Sequence, residues 1–240
     1  MVNLFNSRKK RPTPPRQRSR RPNPHQVINR VGLSELTPEL SRFLGQAAYL
    51  QLSFFESLSR AVTGSPTTAS KEVVSRAAGM TLARHHALTA EIEKLGWVPA
   101  QAMESFVMPI DSFQSRTKGS DWAETLLAYY VEAGILDDGF VSIAQGFDRV
   151  HAQRVAEILG DNAATQLVAG LLATAIGDNP RLASRLALYG RRLVGDVLIL
   201  ARSALDLPEN TAPDDERLEP VLTELIADHT RRMDNLGLTA

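Results

Sequence analysis

The chain predicts an all-helical protein, and three features of its 240 residues carry the prediction. From Thr37 onward, apolar residues return every three or four positions, the period that gathers them on one face of a helix. Long apolar-polar alternations, the mark of half-buried strands, are absent. Glycine and proline signals separate the periodic stretches, at Gly64-Ser65-Pro66, at Gly96 and at Gly177-Asp178-Asn179-Pro180.

Those breaks divide the body into six helical segments. The first runs from Pro38 to Val62, with Thr37 as N-cap and proline in the first turn. The second spans Ala69 to Leu95 and ends at Gly96. Trp97 to Ser120, holding Pro99 and Pro109, reads as a long connection of the kind that crosses a bundle from end to end. The third helix begins at Asp121 and reaches Gln145, with Gly134 or Gly139 as bending points, and Asp148 to Leu159 continues as a helical region up to a break or kink at Gly160-Asp161. Asn162 to Ile176 forms the fourth. The fifth is PRLASRLALYGRRLVGDVLILARSAL, opened by Pro180 and terminated by Pro208. After a loop over Glu209 to Asp214, the last helix covers Leu218 to Met233, with Leu218, Leu222, Leu225, Ile226 and Met233 on its apolar side.

Composition excludes several function classes. With no cysteine there is neither a disulfide framework nor a thiolate metal cage, and a reducing cytoplasm is the expected location. The longest apolar run, Leu167 to Ile176, is too short to span a bilayer, so no membrane helix is expected. Arg20-Arg21 is followed by Pro22, Asn23, Pro24 and His25 where an export signal needs an apolar core, which argues against export. The zero net charge conceals an asymmetry. Residues 1 to 30 carry Arg8, Lys9, Lys10, Arg11, Arg16, Arg18, Arg20, Arg21 and Arg30 with no acid; without those nine, 18 basic and 27 acidic residues leave the body at -9. The chain is therefore divided into a basic, proline-rich arm over residues 1–32 and a helical domain over 33–240. Residues 8–21 of the arm are candidates to bind RNA or an acidic protein through charge neutralisation; the competing reading is a solvated tail.

On the second helix, Val73, Ala77, Met80, Leu88 and Leu95 share one face and Arg84 falls in its middle, with Thr81 at the border. His85 lies at the edge of that stripe and His86 on the polar side, so the adjacent pair cannot chelate one ion.

The stretches QAAYLQLSFFESL, AEIEKLGW, SDWAETLLAYYVEAGILDDGF and above all NPRLASRLALYGRRLVGD resemble the actinobacterial ferritin-like family related to the MiaE-type tRNA hydroxylases, from about Leu40 to Ala204. The resemblance implies a ferritin-like four-helix bundle with additional C-terminal helices, and ordinarily a di-iron site built from single acids on two helices and Glu-x-x-His pairs on the other two. Carried over by position, the first acid matches Glu56, the first Glu-x-x-His matches Thr81 and Arg84, and the last carboxylate-x-x-His pair matches Asp161 and Ala164. The third-helix acid falls at Ala133, while a shift of one or more residues brings Glu132, Asp137 or Asp138 into play. A threonine hydroxyl is a poor iron ligand, and a guanidinium has no lone pair to donate. The implied site is therefore degenerate, with Arg84 expected to pair with Glu56 or Asp161 in place of metal.

Elsewhere, Asp148-x-x-His151 is the only literal acid-x-x-His and has no second pair to face; it reads as a surface pair. His229, Arg231 and Arg232 sit late in the final helix, where cations complement the dipole. Arg191-Arg192 is read as pairing with nearby acids, with phosphate or partner contact as the alternative. The expected function is that of a metal-free, non-catalytic scaffold or interaction protein, homodimeric, with the arm as its contact to RNA. The alternatives are a di-iron hydroxylase acting on tRNA, and an apolar-ligand carrier lined by Tyr49, Phe54, Phe55, Tyr129 and Tyr130.

Overall fold

A computed structural model describes residues 37–203 and 212–239; the arm over residues 1–32, with its polyanion-binding candidates, lies outside the described residues. The described residues are mostly helical and contain no strand. In chain order the helices are α1 (Leu40–Thr63), α2 (Thr68–Lys94), α3 (Pro99–Glu104), α4 (Val107–Thr117), α5 (Trp122–Ala144), α6 (Arg149–Leu159), α7 (Ala163–Asp178), α8 (Pro180–Ser203) and α9 (Ala212–Asn235). None of them is long and apolar enough to cross a membrane.

The helix ends follow from side-chain capping. Thr67 accepts from the Ser70 amide at 3.0 Å while Ser70 Oγ accepts from the Thr67 amide at 3.1 Å, a reciprocal box that opens α2. Asp121 caps α5 by accepting from the Glu124 amide. α1 starts at Leu40 with Glu39 in the N-cap position, later than the Thr37 cap expected. Gly160-Asp161 is a break between α6 and α7, and α5 runs unbroken past Gly134 and Gly139. The last helix begins at Ala212, six residues ahead of Leu218, and carries Pro220 in its interior.

The expected connection over Trp97 to Ser120 is instead largely helical. Pro99 stands at the start of α3, and Pro109 falls in the first turn of α4, where its missing N–H has no intrahelical acceptor to lose. Phe106, Ile110 and Phe113 recur at intervals of four and three residues and are all buried, a short amphipathic signal that the two prolines interrupt.

Four helices close a ring: α1 packs on α2 and α5, and α7 packs on the same two. This is the four-helix core the resemblance implied, with α8 and α9 added against the outer side of α5. α5 is consequently wrapped by helices, which explains why its sequence is apolar nearly all round and why most of its residues are buried. The core is filled by large side chains. Phe43 meets Phe140 and Phe147 edge-on at 5.2 and 5.0 Å, and Phe54 meets Tyr129 edge-on at 5.5 Å.

Candidate functional site

The buried stripe of α2 comprises Val74, Ala77, Ala78, Thr81, Arg84, Leu88 and Ile92. Arg84 thus enters the bundle from the core face, and is only 7% exposed. Its Nη1 donates to Asp137 Oδ2 of α5 at 2.8 Å, and Gln51 Nε2 of α1 donates to Asp137 Oδ1 at 2.7 Å. Three helices therefore converge on one carboxylate, each contributing a residue whose phase on its own helix faces the ring. Burial pushes the Asp137 carboxyl up to about 6, although the Arg84 charge and the Gln51 hydrogen bond both act to lower it. At neutral pH the pair is ionic. Burial also raises the Tyr129 hydroxyl, which, like Gln51 Oε1, has no hydrogen-bond partner among the described residues. Thr81, fully buried, donates to the Ala78 carbonyl of its own helix at 2.8 Å.

The pairing corrects the expected one. Glu56 points outward and meets Arg60 at 3.5 Å, because it lies about 140° around α1 from Gln51 at 100° per residue. It lines an open groove of about 650 Å³ between α1, α4 and the start of α5. Asp161 precedes α7, where Oδ1 accepts from the Ala163 amide at 2.9 Å. Neither carboxylate meets Arg84; Asp137 does, four residues along α5 from Ala133. Ala133 and Ala164 are buried at 0% and 1% exposure. A second cavity, about 250 Å³, opens beside the ion pair and is lined by Ala133, Asp137, Asp138, Asp161 and Arg232 among others. Of the aromatics expected to line an apolar pocket, Phe54 and Tyr129 pack against each other and border neither cavity, whereas Tyr130 lines the second.

The histidines among the described residues lie away from the ring's ion pair. His85 Nδ1 lies 2.9 Å from the Ala48 carbonyl, and His86 is exposed. Asp148 Oδ1 accepts from the Val150 and His151 amides at 2.9 and 3.1 Å, capping α6 at the surface. His229 departs from its expected role as a dipole-complementing cation: it is 3% exposed, and burial, then the Arg232 charge, lower its pKa. Arg232 pairs with Asp138 and lies over Gly134, where an added Cβ would stand 3.1 Å from its Cδ.

One further buried acid escapes a periodicity reading. Glu132, 2% exposed, accepts from Gln114 Nε2 at 2.9 Å, and burial pushes its carboxyl up to about 8 despite hydrogen bonds from Thr117 and Gln114. It faces α4 and α8 rather than the ring. The signal available in the sequence was an acid amid the run LLAYYVEAGIL, which requires a burial partner on one side or another.

The donor set at the centre does not fit a di-iron group. Arg84 meets one carboxylate, which also accepts from a carboxamide; the positions the resemblance gives to ligands otherwise hold a threonine hydroxyl, two alanines and two acids, Glu56 and Asp161, that do not meet Arg84, with no imidazole. Among the described residues, no three His, Asp or Glu side chains are placed to hold a metal ion. A guanidinium bonded to the only central carboxylate adds a positive charge where two cations would have to sit.

Residues 38–206 match a protein-family profile described as a ferritin-like domain of actinomycetes. A comparison with curated proteins finds no match.

Proposed function

The chain belongs to the ferritin-like domain family of actinomycetes, and we propose that within it this protein is a non-catalytic, metal-free scaffold or interaction protein. The observation that carries this reading is the buried Arg84–Asp137 ion pair, locked by Gln51 at the centre of the ring. An arginine held there by a carboxylate supplies the cationic charge that the acid needs, so the bundle closes without a metal. Kinship with the MiaE-type tRNA hydroxylases belongs to the same proposal, as the lineage from which the present centre departs. The basic arm, Arg8, Lys9, Lys10, Arg11, Arg16, Arg18, Arg20 and Arg21, serves in this reading as the contact to RNA, and the protein acts in the cytoplasm as a homodimer.

Metal analysis of full-length protein purified from iron-supplemented cells tests the central claim. The expected result is substoichiometric iron and no oxygen uptake with a reductant; two irons per chain with oxygen-dependent turnover would overturn it. For the arm, RNA affinity of the full chain is compared across a salt series with that of a variant in which the eight basic residues are glutamine. Equal affinity would remove the tether.

A further inference from the structure

α8 turns its apolar side, Leu186, Leu193, Val197 and Leu200, into the protein against α5. On the opposite side Arg181, Arg185, Leu188, Arg192, Gly195 and Ile199 are all exposed. They follow one another at intervals of four, three, four, three and four residues, the alternation that keeps a seam straight along a helix for a second helix to pack on. The seam has two unusual components. Leu188 and Ile199 are each 67% exposed, large apolar side chains projecting from the middle and the far end of the row. Gly195 lies between them with nothing within 4 Å of where a Cβ would be, so it leaves a shallow hole beside two knobs.

The seam's charge is equally uneven. α8 carries Arg181, Arg185, Arg191, Arg192 and Arg202 against a single acid, Asp196, whereas the body as a whole is strongly acidic. Arg185 is engaged by Asp121 and Glu124, and Asp196 by Arg116. The guanidinium groups of Arg181, Arg191 and Arg192 meet no carboxylate among the described residues, and Arg192 lies over the Tyr189 ring at 5.6 Å. The expectation that Arg191 and Arg192 pair with nearby acids is thus not met.

We propose that the outer face of α8 is a docking surface for an acidic amphipathic helix of a partner protein. Its acids would pair with Arg181, Arg191 and Arg192, and its apolar side chains would cover Leu188 and Ile199 and enter the hole at Gly195. The inference deepens the interaction-protein reading by naming the partner's chemistry. A nucleic-acid backbone matches the arginines but offers nothing to the two apolar knobs. A bilayer needs a broad apolar face, and the apolar face of α8 is already spent on α5. A second copy of α8 would set arginine against arginine.

The test uses full-length protein and two fluorescent helical peptides of identical composition, one with leucines on one face and glutamates flanking them, the other scrambled so that no face is apolar. Since both carry the same charge, attraction to the basic arm is common to the two and cancels. The amphipathic peptide is expected to bind at least tenfold more tightly. Its advantage should disappear both in Arg181→Glu/Arg191→Glu/Arg192→Glu and in Leu188→Ser/Ile199→Ser, variants on exposed positions whose helicity is checked by circular dichroism. Equal binding of the two peptides overturns the proposal. Loss in the arginine variant with none in the Leu188→Ser/Ile199→Ser variant also overturns it, in favour of a general polyanion site, which single-stranded RNA would then occupy equally well. Binding of phosphatidylserine vesicles that both variants abolish, without peptide preference, would assign the face to a membrane. Self-association lost in the same variants would assign it to a second copy. None of these outcomes alters the metal content on which the non-catalytic reading stands or falls.

Discussion

Replacing Arg84 with methionine removes the cation from the centre of the bundle and leaves Asp137 Oδ2 without its donor. Both partners are 8% exposed at the side chain, so bulk solvent reaches Asp137 only through the small adjoining cavity and replaces little of the lost interaction. Breaking a buried pair in this way costs about 3–5 kcal/mol, a large part of the roughly 5–15 kcal/mol by which a domain is stable. The cost must also depend on pH. Burial already raises Asp137 to about 6, and Arg84 is the strongest influence holding it down, so the variant's carboxyl titrates higher still. Below that pKa the acid is neutral and the lost cation matters little; above it an unpaired charge is buried. Urea unfolding of Arg84→Met should therefore show a larger loss at pH 8 than at pH 5. Arg84→Met/Asp137→Leu, which removes both charges, should recover most of the stability or exceed the wild type. A loss of less than about 1 kcal/mol at pH 8, the size expected for an exposed pair, would refute the claim that this pair is desolvated and closes the site.

Glu132→Gln tests the second buried acid. Because folding raises this carboxyl from 4.5 to about 8, the folded state holds the proton more tightly, and the wild type should lose stability as pH rises from about 4.5 to 8. The linkage amounts to as much as ~5 kcal/mol at about 1.4 kcal/mol per pH unit, and the glutamine variant should remove this component in a pH series of denaturant melts. Gly45→Ala should destabilise by about 1–3 kcal/mol in the same assay, because the new Cβ would overlap the Ala102 carbonyl and force α3 away from α1. Asp148→Ala removes the cap of α6 and should cost about 1 kcal/mol, with faster hydrogen exchange at the Val150 and His151 amides.

Much of the architecture was legible because it depends on local rules. The helical period, the stops at Gly64 and Gly96 and the start near Asp121 are each written within a few residues, and the structure places elements accordingly. α3 and α4 were hidden for an opposite reason. Each is short, and their prolines read as breakers until it is clear that both stand in first turns. At the candidate site, the inward phase of Arg84 followed from its place in the stripe of Val73, Ala77, Met80, Leu88 and Leu95, although the buried stripe runs through Val74, Thr81 and Ile92 instead and leaves Leu95 36% exposed. Its partner did not follow. Position-by-position comparison favoured Glu56 and Asp161, and Asp137 stood only among the alternatives one could reach by shifting the register.

By itself the sequence determined that the chain is helical, where most of its helices begin and end, that its two ends of charge are separated, and that an arginine occupies the core face of α2. Only the tertiary structure decided which carboxylate answers that arginine, that Glu132 and His229 are buried, and that α8 presents arginines with two bare apolar side chains. The difference is physical. Periodicity and capping are set by contacts between residues four or fewer apart along one helix. A buried carboxylate's partner is set by the rotation and axial register of separate helices. α5 is apolar nearly all round because it is surrounded, so its sequence gives no phase from which that rotation could be read.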